Sequence, residues 1–203
     1  MTEIEQIKII DQIKRISNVL TKEECSYLIH TFNVNQDKLF TEASLKFLDK
    51  ESKLEYKSDN FKAISLMDGV DDKALSIAAK GIKTMIINYL AFQKINFSKL
   101  LTSDFYCSSD NIRILRYQKD EEIMDHLDLS EEIRMSCTLN LNEDYDGGDF
   151  SFFHGKYKIK LKQGEGMIFP AEPHWIHGVE KVTAGSRYSI NCFLKRYGKI
   201  KLN

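Results

Sequence analysis

The chain has 203 residues, 42% of them hydrophobic and 29% charged, and its 29 basic and 30 acidic side chains leave a net charge of -1. That length fits one domain of ordinary size, with a radius of gyration of roughly 17 Å and about 70% of the unfolded surface buried, so no disulfide or structural zinc is required. The composition excludes disordered and fibrous classes, the charge balance excludes a phosphate-binding surface spanning the molecule, and no apolar run approaches the roughly eighteen residues of a membrane helix.

Met1 to Asp11 mixes acids, Lys and Ile and lacks the basic start and apolar stretch of a secretory signal. Thr21-Lys22-Glu23-Glu24 has the capping-box pattern, and Cys25, Leu28, Ile29 and Phe32 follow at helical spacing, which predicts a first helix. Phe40 to Phe61, rich in Lys, Ser, Glu and Asp, reads as an exposed, mobile connection that orders over a substrate. From about Asp71 to Gln93, the positions Leu75, Ala78, Ala79, Ile82, Met85, Ile86, Tyr89 and Leu90 form one apolar stripe of a longer second helix.

Beyond about Ser103 the apolar period shortens to two, the signature of strands. Asn111 to Tyr117 gives one, and Ile133 to Leu141 a cleaner one, with Met135, Cys137 and Leu139 on one face and Arg134, Ser136, Thr138 and Asn140 on the other. Asp146-Gly147-Gly148 signals a turn. Phe150 to Phe153, Tyr157 to Leu161, Met167 to Phe169, Ile176 to Val182 and Arg187 to Leu194 add further strands, so helices precede a β-rich sandwich or jelly roll. Cys25, Cys107, Cys137 and Cys192 show neither CxxC nor zinc-finger spacing and read as buried hydrophobes in a reducing compartment, so a cytoplasmic location is expected.

His126-Leu127-Asp128 can aim an imidazole and a carboxylate the same way from an extended segment. Five histidines and thirty acids make about 0.7 such triplets by chance, so the triplet alone carries little. His177, Arg187 ten residues later and Ser189 two beyond that change the balance, because the joint chance expectation falls below about 1%. Two imidazoles and a carboxylate form an open-sided triad suited to non-haem Fe(II), and a buried Arg beside a hydroxyl suits the far end of a dicarboxylate.

At these residues the sequence resembles the Fe(II)- and 2-oxoglutarate-dependent oxygenases, most closely their prolyl 4-hydroxylase-like branch, over about Asn111 to Lys195. Leu115-Arg116-Tyr117 is similar to the family's strand ahead of H-x-D, and Leu141-Asn142 with Gly147-Gly148-Asp149-Phe150 to its "LN…GG-acid-apolar" segment. Gly164-Glu165-Gly166-Met167-Ile168-Phe169-Pro170 resembles the strand before the second His, and His177 through Ser189 the "H-x-V-x-x-V-x-x-G-x-R-Y-S" ending. The resemblance implies an α+β chain built on a double-stranded β-helix, or jelly roll, with the N-terminal helices packed on its larger sheet. One domain would span residues 1–203, helical over about 1–100 and jelly-roll over about 103–195.

The resemblance further implies that His126, Asp128 and His177 hold Fe(II), and that Arg187 pairs with the 5-carboxylate of 2-oxoglutarate, helped by Tyr117 and Ser189. The reaction would use O2 to hydroxylate a C–H bond, most expectedly of a peptidyl residue such as proline, releasing succinate and CO2, with ascorbate a candidate accessory reductant. Where the branch often carries a co-substrate-binding Tyr this chain has Asn140, whose amide can donate the same bond with shorter reach. Protein or peptide is the expected substrate, with a free amino acid, another small molecule or a nucleobase as alternatives. The second arginine of the family's nucleic-acid demethylases is absent, since Phe193 stands there, and a non-catalytic jelly-roll binding module is the remaining rival.

His174, three residues before His177, is a rival ligand, whereas His30 and His154 read as structural or solvated. Trp175 borders a substrate groove or joins the core, and Arg134 meets an acid in the cavity or faces solvent. The basic runs Lys156 to Lys162 and Lys195 to Lys201 either grip acidic peptide or nucleic acid or form solvated strand faces.

Overall fold

The computed structural model describes residues 9–47, 54–92, 108–109, 111–128, 132–195 and 200–201. In chain order these carry strand β1 (Lys14–Ile16), helix α1 (Lys22–Val34), strands β2 (Ala43–Phe47), β3 (Leu54–Ser58) and β4 (Lys62–Ser65), and helix α2 (Asp72–Phe92). Then follow β5 (Ser108–Ser109), β6 (Ile112–Tyr117), β7 (Ile123–His126), β8 (Ile133–Asn140), β9 (Tyr145–Gly147) and β10 (Phe150–Phe152). The last strands are β11 (Tyr157–Ile159), β12 (Gly166–Pro170), β13 (His177–Val179), β14 (Val182–Gly185), β15 (Arg187–Lys195) and β16 (Ile200–Lys201).

Both helices form where capping and patterning place them. Thr21 Oγ1 accepts from the Glu24 amide at 3.2 Å while Glu24 Oε2 accepts from the Thr21 amide at 2.9 Å, which satisfies two first-turn donors of α1. Asp71 Oδ1 accepts from the Ala74 amide and its Oδ2 from Tyr27 and Thr31, so one carboxylate caps α2 and ties it to α1. These bonds hold the Asp71 carboxyl below its usual range. The α2 stripe buries Ala78, Ile82, Met85, Ile86 and Leu90, and each large aliphatic among them contributes roughly 1.5–3 kcal/mol.

An eight-stranded sheet runs β1-β12-β8-β15-β5-β16, with β6 pairing both β15 and β4; a six-stranded sheet runs β11-β10-β13-β7-β2-β3, and β14 pairs β9. All registered pairs are antiparallel. Strand alternation divides the larger sheet's side chains between two cores. Cys137, Leu139, Ile112, Ile114, Ile190 and Cys192 face outward and pack with α1 and α2. Leu115, Tyr117, Met167 and Phe169 face inward and meet Phe150, Phe152 and Val179 of the smaller sheet. This is the jelly roll with helices on its larger sheet.

The first hundred residues are less helical than expected, because β1 and β4 edge onto the larger sheet. The main correction concerns Phe40 to Phe61. Its described part is a β2–β3 hairpin that extends the smaller sheet, with Lys46 registered opposite both Glu55 and His126. Phe40 pairs with Ala63, and Phe61 is buried against Tyr117. Its edge pairs with β7 and its charges find partners, so the segment is less exposed than expected: Lys46 Nζ meets Asp59 Oδ1 at 2.7 Å, both side chains buried. Residues 48–53 lie outside the described residues, as do Cys107, Gln93 and 196–199 of the second basic run.

Candidate active site

Two strands of the smaller sheet set the spacing of the histidines. His126 ends β7 and His177 begins β13, directly opposite one another, with ring centroids 4.4 Å apart. Asp128, two residues past His126, completes a cluster whose ligating atoms all lie within 4.8 Å of one another. Asp128 Oδ1 lies 3.5 Å from His126 Nε2, and its Oδ2 lies 3.3 Å from His177 Nε2. Ser136 of the larger sheet donates its hydroxyl to Asp128 and pins the carboxylate.

The outer nitrogens of both rings are already committed. His126 Nδ1 meets the Met124 carbonyl at 3.0 Å and His177 Nδ1 the Trp175 carbonyl at 2.9 Å. A carbonyl only accepts, so each ring donates from Nδ1 and presents Nε2 to the cluster, which in the neutral ring is the tautomer a metal needs. Burial, then the His177 ring, lower the His126 pKa. Burial also disfavours a charged His177, but the Asp128 carboxylate outweighs it and raises that pKa. Asp128 is held well below the carboxylate range, because both imidazoles outweigh its burial. A donor set of two imidazoles and one carboxylate, open on the side of a cavity, fits Fe(II).

The cavity measures about 390 Å³ and is lined by His126, Asp128 and His177 together with Tyr117, Thr138, Phe150, Arg187 and Ser189. Arg187 is 2% exposed, and its Nε and Nη1 have no hydrogen-bond partner among the described residues. A buried guanidinium with two bare donors calls for an anion, and the planar fork suits a carboxylate. Its carbon lies 5.2 Å from the Tyr117 ring centre. Burial raises the Tyr117 pKa, so the phenol stays protonated and can donate. These residues fit a dicarboxylate.

Other expected positions are placed differently. Asn140 is fully buried but spends Nδ2 on the carbonyls of Asn142 and Leu161, at 2.6 and 3.0 Å, while its Oδ1 accepts from Tyr145. It does not line the cavity, and its amide keeps no free donor for a co-substrate. His174 is exposed and His30 lies exposed on α1, away from the cluster. His154 Nδ1 meets Asp125 at 2.8 Å. Trp175 is buried among Phe152, Phe153 and Phe169 and belongs to the core. Arg134 reaches the Ile133 carbonyl at 3.3 Å. On β11 Lys158 is exposed and pairs with Glu180, while Ile159 is buried, which is a solvated strand face.

Lys46, Asp59, Glu42 and Arg113 also line the cavity and escaped the sequence reading. For the hairpin the available signal was the alternation Ala43, Leu45, Phe47, hidden by the charges interleaved with it. For Arg113 it was the inward set Arg113, Leu115, Tyr117.

Residues 112–195 match the family model of the 2OG-Fe(II) oxygenase superfamily. No curated protein sequence matches the chain. Among solved structures, it is similar to the viral collagen prolyl hydroxylase of Paramecium Bursaria Chlorella virus-1 in complex with 2OG, with TM-score 0.61 and 17% identity, covering 91% of this chain and 96% of that one. It is similar to a prolyl hydroxylase from Trichoplax adhaerens bound to a hypoxia inducible factor peptide fragment, with TM-score 0.63 and 13% identity over 92% of this chain and 84% of that one. A prolyl-4-hydroxylase from Pseudomonas putida gives TM-score 0.62 at 13% identity, over 92% and 94% of the two chains. At such identities the likeness establishes the fold. The family match falls on the same stretch that supplies the three clustered side chains and the bare guanidinium, and the two together support a 2-oxoglutarate-dependent dioxygenase working with Fe(II), 2-oxoglutarate and O2.

Proposed function

We propose that this dioxygenase hydroxylates a C–H bond of a peptidyl residue, proline foremost, with release of succinate and CO2. His126 and His177 would hold Fe(II) through Nε2 and Asp128 through a carboxylate oxygen, while Arg187 takes the far carboxylate of 2-oxoglutarate beside Tyr117 and Ser189. The observation that carries this reading is the buried Arg187, bare at Nε and Nη1, in one cavity with the two-histidine, one-carboxylate cluster. Bound Fe(II) supplies the oxidative chemistry. The protein's own share is to fix the imidazole tautomers through Met124 and Trp175, neutralise the dicarboxylate, and shield the centre with Phe150 and Val179.

The peptide preference rests on the fold neighbours that are prolyl hydroxylases, one of them holding a peptide. Residues 1–203 would act as one domain, since α1 and α2 share the outer core of the larger sheet. A cytoplasmic location is supported by the buried free thiols, with Cys137 and Cys192 opposite one another in register yet unbonded. Among the described residues no helix is long and apolar enough to cross a membrane. The test is a mass-spectrometric search of a peptide and metabolite library for a product heavier by one oxygen, with succinate release as the second readout. Oxygen transfer to a prolyl peptide is the expected result. Succinate formed with transfer to no peptide would overturn the peptide assignment.

A further inference from the structure

Arg113 is a second buried guanidinium in the cavity, and the chemistry above does not use it. It is 4% exposed and shares the inward face of β6 with Leu115 and Tyr117. In register Arg113 stands opposite Asn191 of β15, whereas Arg187 stands opposite Tyr117. The two arginines are thus about 13 Å apart along the sheet, four strand residues at roughly 3.3 Å each. Asp128 bonds Ser136, which lies opposite Phe193, so the cluster hangs over the Arg113 end. Along β15 the order is thus Arg187, Arg113 and then the level of the cluster, so Arg113 is the guanidinium nearer the cluster in register and Arg187 the more remote one.

The partners of Arg113 leave room for a ligand. Its Nη2 donates to Asn191, its central carbon lies 5.1 Å from the Phe193 ring centre, and Nε is buried with no hydrogen-bond partner among the described residues. Nη1 pairs with Glu42, whose side chain is 35% exposed at the mouth of the β2–β3 hairpin. The cavity's remaining cation outside the cluster, Lys46, is paired to buried Asp59. A buried guanidinium needs an anion at all times, but a carboxylate one-third exposed returns to water at little cost. Exchanging one carboxylate for another conserves charge.

Resting on the dioxygenase reading, we propose that Arg113 is the substrate's carboxylate subsite, with Glu42 occupying it until substrate arrives. The substrate then carries a carboxylate beside the carbon hydroxylated, either an acidic side chain next to the target residue of a peptide or the free carboxylate of an amino acid. Phe193 and Asn191 fix the plane in which the guanidinium presents Nε.

The test uses the Fe(II)-loaded enzyme with 2-oxoglutarate and a paired library: the free amino acids with their carboxamides, and capped prolyl peptides with Asp or Glu next to Pro, matched to Asn or Gln. Succinate release should rise with acids and not with their amides, free amino acids and peptides naming the two sources. Arg113→Gln should raise the KM of the responding acid at least tenfold, and Glu42→Gln should lower it at least twofold, because the competitor is gone. A merely structural ion pair would move both variants the same way, and that result overturns the proposal. So does equal stimulation by acids and amides, or stimulation by no acid in an enzyme that still releases succinate alone. Wild type releasing no succinate under any condition overturns the dioxygenase reading together with the subsite. If Arg113→Gln does not fold, Glu42→Gln decides, and an unchanged or raised KM counts against the subsite.

Discussion

Gly178→Ala isolates what holds the two histidines at metal-binding distance. Gly178 lies between His177 and Val179 on β13, where the register with β7 shifts, and β7 carries His126. A methyl added there would sit 2.6 Å from the Ile123 carbonyl oxygen and 3.2 Å from the Asp125 amide nitrogen, all β7 backbone. Ordinary contact begins at about 3.4 Å, so β7 must withdraw by about 0.8 Å. Metal–ligand distances tolerate about 0.2 Å, and functional geometry about 0.5 Å. The displacement exceeds both. Metal affinity should fall about 10- to 100-fold, comparable to losing a group that orients a ligand, while overpacking costs about 1–3 kcal/mol and leaves the fold standing. Anaerobic Mn(II) titration followed by electron paramagnetic resonance reads the first effect, and thermal unfolding in chelator the second. A variant that binds Mn(II) within twofold of wild type would show that the β7–β13 separation does not set the cluster, and would refute the reasoning.

Two more perturbations probe separate parts of the molecule. Arg187→Ala should weaken 2-oxoglutarate binding about 100-fold, the loss of charge-assisted hydrogen bonds worth about 1.5–3 kcal/mol each, with Mn(II) affinity held within about threefold; equal loss of both contradicts the assigned role. Glu165 accepts from Arg15, Ser17 and the Lys162 amide, and although burial alone would raise its pKa, these partners hold the carboxyl below its usual value. A depressed folded-state pKa means stabilisation present above the unfolded value of about 4.3 and lost as pH falls through the folded one. Urea unfolding should therefore find Glu165→Gln about 1–2 kcal/mol weaker near neutrality, with the gap closing below about pH 4; a gap constant with pH speaks against the ion pair.

The strand-rich half was legible because period two survives wherever one face of a strand meets a core. On β8, Met135, Cys137 and Leu139 turn to the helices, while Ser136 turns to Asp128 and Thr138 to the cavity, as the alternation said. The cluster was legible because H-x-D, His177 and Arg187 keep a fixed order along paired strands. The hairpin was not, because Lys46 and Asp59 look like solvent-facing charges until the fold buries them against each other. Local sequence cannot report a partner thirteen residues away. Asn140 failed for a related reason. Its residue type suits a donor, but the carbonyls that consume its amide come from Asn142 and Leu161, and the latter approaches through tertiary packing. Arg113 stood in a strand that the pattern identified, yet only the register with Asn191 and the contact with Glu42 reveal a charged corner of the cavity.

The most direct measurement is the visible spectrum of the anaerobic protein titrated with Fe(II) and then 2-oxoglutarate. A weak charge-transfer band of an iron-bound keto acid is expected, saturating with one metal per chain and lost in His126→Ala. No band at millimolar 2-oxoglutarate, or a band undiminished in His126→Ala, would contradict the assignment of the His126, Asp128 and His177 cluster as the iron site.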